Sequence, residues 1–105
     1  MPLENYLIPG EEIRYHTTRA LRYGAKRYEL IVTNKRLLLY AQRGVLIKND
    51  DVVSFKLDEI QGINYRETGM VGKRGHIIVE SRTRIDLEGD TSEVRALYQQ
   101  LMQFF

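Results

Sequence analysis

The sequence predicts a mostly β domain of about seven antiparallel strands capped by one C-terminal α-helix. Two patterns carry that prediction. Between residues 12 and 88, short apolar–polar alternating runs are separated by turn residues, the spacing of a sandwich or barrel. After Asp90 the period changes from two to 3.6, once, at the end of the chain. At 105 residues with 43% hydrophobic content and no cysteine, the chain can bury one core without disulfide staples.

Each element follows from its own residues. Pro9-Gly10 is a turn signal that ends an N-terminal arm, residues 1–10, ahead of a single domain over 11–105. In the first strand, Glu12 to Leu21, Ile13, Tyr15 and Thr17 alternate with Arg14, His16 and Thr18. Arg22 to Lys26, with Gly24, forms the first loop. The second strand, Arg27 to Thr33, points Tyr28, Leu30 and Val32 one way and Glu29, Ile31 and Thr33 the other. The third, Arg36 to Ala41, is apolar on both faces and reads as central. Val45 to Leu57 reads as a fourth strand, bulged at Asn49-Asp50-Asp51. Leu57, Ile60 and Ile63 are spaced by three, which marks a short turn before a fifth strand, about Gly62 to Glu67. Gly69, Gly72 and Gly75 punctuate a hairpin loop. His76 to Ser81 and Thr83 to Leu87 complete the set, the last with Ile85 and Leu87 inward. For the helix, Asp90 is a candidate N-cap and Glu93 its capping-box partner. Val94, Leu97, Tyr98, Leu101, Met102 and Phe105 form its apolar stripe, which the open end of the β structure must cover.

Three segments in order resemble the bacterial and archaeal pleckstrin-homology-like (PH-like) domains, a family related to GRAM domains. Tyr28 to Tyr40 (YELIVTNKRLLLY) is similar to their Y-x-hydrophobic-T-[ND]-K-R-L signature. Phe55 to Ile63 (FKLDEIQGI) resembles their I-P-L-x-x-I-x-x-V segment, with Phe-Lys in place of Ile-Pro. The Gly69-x-x-Gly72-x-x-Gly75 hairpin then precedes Ile77-Ile78-Val79-Glu80. With the helix, the resemblance covers residues 8–105. It implies a PH-like barrel in two near-orthogonal sheets with the helix closing one end. The T-N-K-R stretch itself reads as structural: a tight turn in which Asn34 tolerates left-handed geometry, with Lys35 and Arg36 stems packed along the barrel edge.

Charge is concentrated in the N-terminal half. The net charge is only +2, yet Arg14 to Arg43 holds eight cations against one acid, Glu29, a local +7. Such asymmetry favours an anionic partner. The resemblance implies that the loops after strands 1, 3 and 6 share that end, which assembles Arg22, Lys26, Arg27, Arg43, Arg82 and Arg84 as candidate ligands for anionic lipid headgroups or a phosphorylated ligand. Tyr28-Glu29 follow Lys26-Arg27, so the spaced arginine of phosphoinositide-binding members is absent. A second candidate surface is the Gly69–Gly75 loop, where Met70 and Val71 stand beside Lys73 and Arg74 as a membrane or partner contact.

Other classes are weighed on the same residues. A protein-interaction or homo-oligomerisation module without lipid is the main rival, through an edge strand or the tyrosine-rich surface. Tyr15, Tyr23, Tyr28, Tyr40 and Tyr65 interleave with cations as in single-strand nucleic-acid binders, but no RNP-type signature accompanies them. His16 and His76 lack metal spacing, and the pairs Asp50-Asp51, Asp58-Glu59 and Asp86-x-Glu88 offer too few ligands for a metal. None of Ser54, Ser81 and Ser92 sits in G-x-S-x-G. The sequence therefore predicts no enzyme, cofactor or metal. The early acid Glu4 and the short apolar runs predict neither signal peptide nor membrane span, hence a cytoplasmic domain, or one peripheral at the inner membrane face.

Overall fold

The computed structural model describes residues 2–44, 46–47, 49–69 and 73–104. Among the described residues, eight strands precede the helix: β1 Ile13–His16, β2 Leu21–Tyr23, β3 Lys26–Thr33, β4 Arg36–Arg43, β5 Asn49–Lys56, β6 Gly62–Thr68, β7 Arg74–Glu80 and β8 Arg84–Asp90, then α1 Thr91–Leu101. Short 3-10 turns cover Pro2–Tyr6, Leu57–Glu59 and Met102–Phe104.

The extra strand arises because the expected first strand is broken. β1 pairs with β3 through Tyr15↔Val32 and His16↔Ile31. Thr17 continues the ladder: its N–H donates to the Leu30 carbonyl at 2.9 Å, and its hydroxyl accepts the Leu30 N–H at 3.1 Å. Pairing resumes at Leu21↔Tyr28. Thr18, Arg19 and Ala20 bulge out between, and such a bulge bends the strand and raises its twist. β3 consequently serves both sheets, its first residues pairing with β2 and its later ones with β1 and β4.

The full strand order is β5-β4-β3-β2-β8-β7-β6, with β1 beside β3. Among the described residues the path ends at β5 and β6 without closing, so the barrel is open along one seam. The β2–β3 connection is tighter than the expected Arg22–Lys26 loop. Tyr23 pairs with Lys26, leaving only Gly24 and Ala25, with Gly24 at φ +63° as the first position of a II′ turn requires. β5 is unbroken: Asn49, Asp50 and Asp51 pair with Arg43, Gln42 and Ala41, so the expected bulge there is absent. Gly44, at φ +97°, ends β4 instead. The three-residue spacing of Leu57 and Ile60 is explained by the 3-10 turn at Leu57–Glu59, since that helix has three residues per turn, while Ile60 is already extended and Ile63 belongs to β6.

The core lies between the sheets and the helix. Leu21, Leu30, Val32, Leu37, Ile77, Ile85 and Leu87 are fully enclosed with Val94, Leu97 and Leu101 of α1. Met102 is 39% exposed and leaves the stripe, while Phe105 lies outside the described residues. The capping box is not formed. Asp90 makes no side-chain bond to the helix backbone and accepts the Ser92 hydroxyl instead. Glu93 accepts the Thr18 hydroxyl, tying the helix to the β1–β2 bulge.

Gly75 is not a loop glycine but a β7 residue paired with Gly89. Both lie where close packing leaves no room for a side chain. A Cβ on Gly75 would stand 2.9 Å from Cβ of Val94, and one on Gly89 would stand 2.1 Å from a Leu21 methyl. Gly89→Ala is expected to cost about 2 kcal/mol by overpacking. Urea denaturation of G89A and of G89A/L21A reports the cause. Steric overlap predicts that the double variant loses less than the sum of the two single losses.

A second, smaller cluster explains why β4 is apolar on both faces. Leu3, from the N-terminal 3-10 turn, is fully buried against Ile31, Leu38 and Tyr40, with Leu7 and Val52 alongside. The arm is thus the outer cover of the β3–β4 sheet.

Candidate functional site

The T-N-K-R segment is the anchor for this arm. Arg36 donates through Nε and Nη2 to the two carboxylate oxygens of Glu11 at 2.9 and 2.6 Å, through Nη2 to the Tyr6 carbonyl at 2.9 Å, and through Nη1 to Ser54 at 3.1 Å. Thr33 donates to Glu11 at 2.6 Å, while its oxygen accepts the N–H of Lys35 and Arg36. Asn34 accepts the Glu12 N–H at 2.8 Å and donates to the Gly10 carbonyl at 3.2 Å. Its φ is not positive, so left-handed tolerance is not what the turn needs from asparagine. Hydrogen bonds and charge from Arg36 and Thr33 outweigh burial and lower the Glu11 carboxyl to about 2.

At the other end of β3 the basic residues are in different states. Arg22 donates to Glu88 at 2.7 Å. Arg74 reaches the same carboxylate at 3.4 Å and His76 at 4.0 Å. Burial pushes Glu88 upward, but Arg22 first, then Arg74 and His76, bring its carboxyl below its ordinary value. Arg43 lies 4.9 Å over the Tyr28 ring, 3.7 Å from Asp51, and donates to the Arg27 carbonyl at 3.0 Å. Arg22 and Arg43 are therefore already engaged. Lys26 and Arg27 are exposed, and their side chains make no hydrogen bond or ion pair among the described residues.

The hairpin gathers Arg22, Lys26, Arg27 and Arg43, but not Arg82 and Arg84. Tyr23 at the hairpin tip aligns with Leu87, three residues farther along β8 than Arg84. Arg82 is 86% exposed and leans toward Glu59 at 3.9 Å, and neighbouring Ser81 donates to the Glu59 carbonyl. These two arginines flank the site rather than line it.

The second candidate surface divides differently. Met70 and Val71 lie outside the described residues. Lys73 is exposed, and its carbonyl accepts the Thr91 hydroxyl at 3.0 Å. Arg74 is not at a loop tip: it opens β7, paired with Asp90 and turned toward Glu88.

The apolar feature missed from sequence is the β4–β5 loop. Leu46 is 97% exposed and Ile47 79%. They follow Arg43 and Gly44, at the end of the sheet where β3 begins with Lys26 and Arg27. The available signal was a run of three apolar residues, Val45 to Ile47, with no alternation, after a glycine. The five tyrosines that interleave with cations, by contrast, belong to the interior or its margin. Tyr28 and Tyr40 are buried, and Tyr15, Tyr23 and Tyr65 pack against the core. They do not form an open stacking platform for bases.

Among the described residues, no helix is long and apolar enough to cross a membrane, and no group of three or more acidic or histidine side chains is placed to hold a metal ion.

Comparison with known proteins agrees with this architecture. The family model described as bacterial PH domain matches residues 7–102. The crystal structure of a pleckstrin homology domain from Shewanella amazonensis SB2B superposes with a TM-score of 0.69 at 18% identity, covering 97% of this chain and 90% of that one. None of the curated proteins matches the chain. The two-sheet array, its closing helix and the family match together place this chain in the bacterial PH domain family.

Proposed function

We propose that the chain is a non-catalytic adaptor module that docks peripherally on anionic membrane, at the end of the fold bearing the β2–β3 hairpin and the β4–β5 loop. The observation that carries this reading is the exposed Leu46–Ile47 pair beside two unengaged cations, Lys26 and Arg27. Apolar side chains that enter the headgroup boundary and cations that meet anionic lipid are the two parts of interfacial binding. In this reading Arg82 and Arg84 extend the cationic surface, and Arg22 and Arg43 mainly shape it. The ligand is the charge of the surface rather than one headgroup, consistent with the missing spaced arginine.

Sedimentation with vesicles tests the proposal. The protein is expected to co-sediment with vesicles of about 35% anionic lipid, to stay in solution with neutral vesicles, and to dissociate as salt rises. Failure to bind either kind at low salt overturns it.

A second reading rests on the open seam. β5 and β6 end the strand path, and each pairs on one side only among the described residues. An exposed edge strand can accept a strand from another copy. Sedimentation equilibrium at tens of micromolar decides: a dimer or larger supports homo-oligomerisation, a monomer removes it.

A further inference from the structure

A cavity of about 220 Å³ lies where the β1–β2 bulge meets the start of β7 and the end of β8. Arg19, Arg27 and Arg74 line it, with Ala20, Gly89 and the carboxylate of Asp90. The bulge explains the convergence. By ejecting Thr18 to Ala20 from the ladder, it turns Arg19 onto the face where Arg27 emerges from β3 and Arg74 from β7. Ala20 and Gly89 contribute only a methyl group and backbone, which leaves the space between the guanidinium groups open.

We infer that this cleft is a binding site for a phosphomonoester or diphosphate group, distinct from the membrane-docking end in every lining residue except Arg27. Three planar guanidinium forks around one cavity match the several oxygens of such a group. The side chains of Arg19 and Arg27 have no hydrogen-bond or ion-pair partner among the described residues, so their donors are free. Arg74 shares Glu88 with Arg22. Asp90 opposes an anion and sets the selectivity. Its carboxylate, held low by the Ser92 hydroxyl and further by the charges of Arg19 and Arg74, is the resident counter-ion of the cleft. A ligand must outcompete it, which a dianionic phosphomonoester or a diphosphate can do and a singly charged phosphodiester cannot.

The test uses the full chain and no membrane. Inorganic pyrophosphate is titrated at low salt while the arginine Nε–Hε signals are followed by NMR. Saturable shifts are expected for Arg19, Arg27 and Arg74. Arg19→Ala should weaken binding about tenfold, one strong charge-assisted contact. Asp90→Asn should strengthen it several-fold, and Arg66→Ala, on β6 and outside the cleft, should leave it unchanged. Absence of saturation, or equal affinity in R19A and the unmodified protein, overturns the inference. Vesicles then separate the two sources of the group. Tighter binding to phosphatidic acid than to phosphatidylglycerol vesicles, lost in R19A, identifies a lipid headgroup. Pyrophosphate binding without that preference identifies a soluble ligand. Because Arg19 is not among the residues of the docking proposal, R19A leaves general binding to phosphatidylglycerol vesicles intact, so failure of the docking proposal and failure of this one give different results.

Discussion

Arg36→Met is expected to destabilise the protein by about 3 kcal/mol, the loss typical when one partner of a buried ion pair is removed. The side chain of Glu11 is fully enclosed and that of Arg36 only 16% exposed. Removing the guanidinium leaves a carboxylate with the Thr33 hydroxyl and the Ile8 N–H as its remaining donors. It also removes the bonds from Arg36 to Tyr6 and Ser54, so the arm and β5 lose a common tether. Urea denaturation at neutral pH measures the cost. Hydrogen exchange locates it: the Glu12 amide, which donates to Asn34, should exchange faster along with the rest of the arm. The double variant E11Q/R36M should recover part of the loss, because it no longer strands a charge. Equal stability of R36M and the unmodified protein would show that the tether is incidental. The pair also sets an acid limit. The folded carboxyl titrates at about 2 against an ordinary 4.5, so the native state binds fewer protons than the unfolded state between those values. The stabilisation is complete above about pH 4.5 and is lost as pH falls toward 2. E11Q should flatten that part of the stability–pH curve.

The Arg36–Glu11 pair gives the T-N-K-R segment a physical role that periodicity could not supply. As sequence it is a polar turn between two apolar strands, and turn chemistry explains it adequately. Its partners, Glu11 and the carbonyls of Tyr6, Pro9 and Gly10, lie more than 20 residues earlier, across a turn that hides their proximity. The same distinction separates what was legible from what was not. The helix stripe was readable at Val94, Leu97 and Leu101 because burial imposes the 3.6 period. The two faces of β3 were readable because Leu30 and Val32 enter the main core while Ile31 enters the outer cluster. The break after Thr17 was not. In the sequence Ile13, Tyr15 and Thr17 alternate without interruption, whereas the register against β3 already shifts between Ile13 and Tyr15 and breaks again after Thr17, as the residues of β3 they meet dictate. Glu93 has the sequence position of a capping-box residue, but the Thr18 hydroxyl, brought over by that bulge, takes its carboxylate. The basic residues were recognisable by composition. Which remain free depends on Glu88 and Asp51, which strand pairing sets beside Arg22 and Arg43.

Replacing Leu46 and Ile47 by serine is expected to weaken binding to anionic vesicles by about 10- to 150-fold, and the form of the loss matters more than its size. Full burial of a leucine or isoleucine side chain is worth about 1.5–3 kcal/mol, and partial burial at the headgroup boundary about half of that for each residue. At 97% and 79% exposure, neither side chain gives up packing when substituted, so the folded protein should keep its stability. Lys26→Ala with Arg27→Ala removes two cations worth about 1 kcal/mol each near an anionic surface, a loss of about 30-fold at low salt. The two variants then separate by their response to salt. L46S/I47S keeps the cations, so its affinity should fall with ionic strength as steeply as that of the unmodified protein. K26A/R27A should respond less steeply, because fewer ion contacts remain to be screened. A common salt slope for all three proteins would assign attraction to cations elsewhere on the surface. Undiminished binding by L46S/I47S would remove the β4–β5 loop from the interface. If the two losses combine without coupling, the loop and the hairpin contact the membrane as independent patches; if either variant alone abolishes binding, they act as one surface whose orientation requires both.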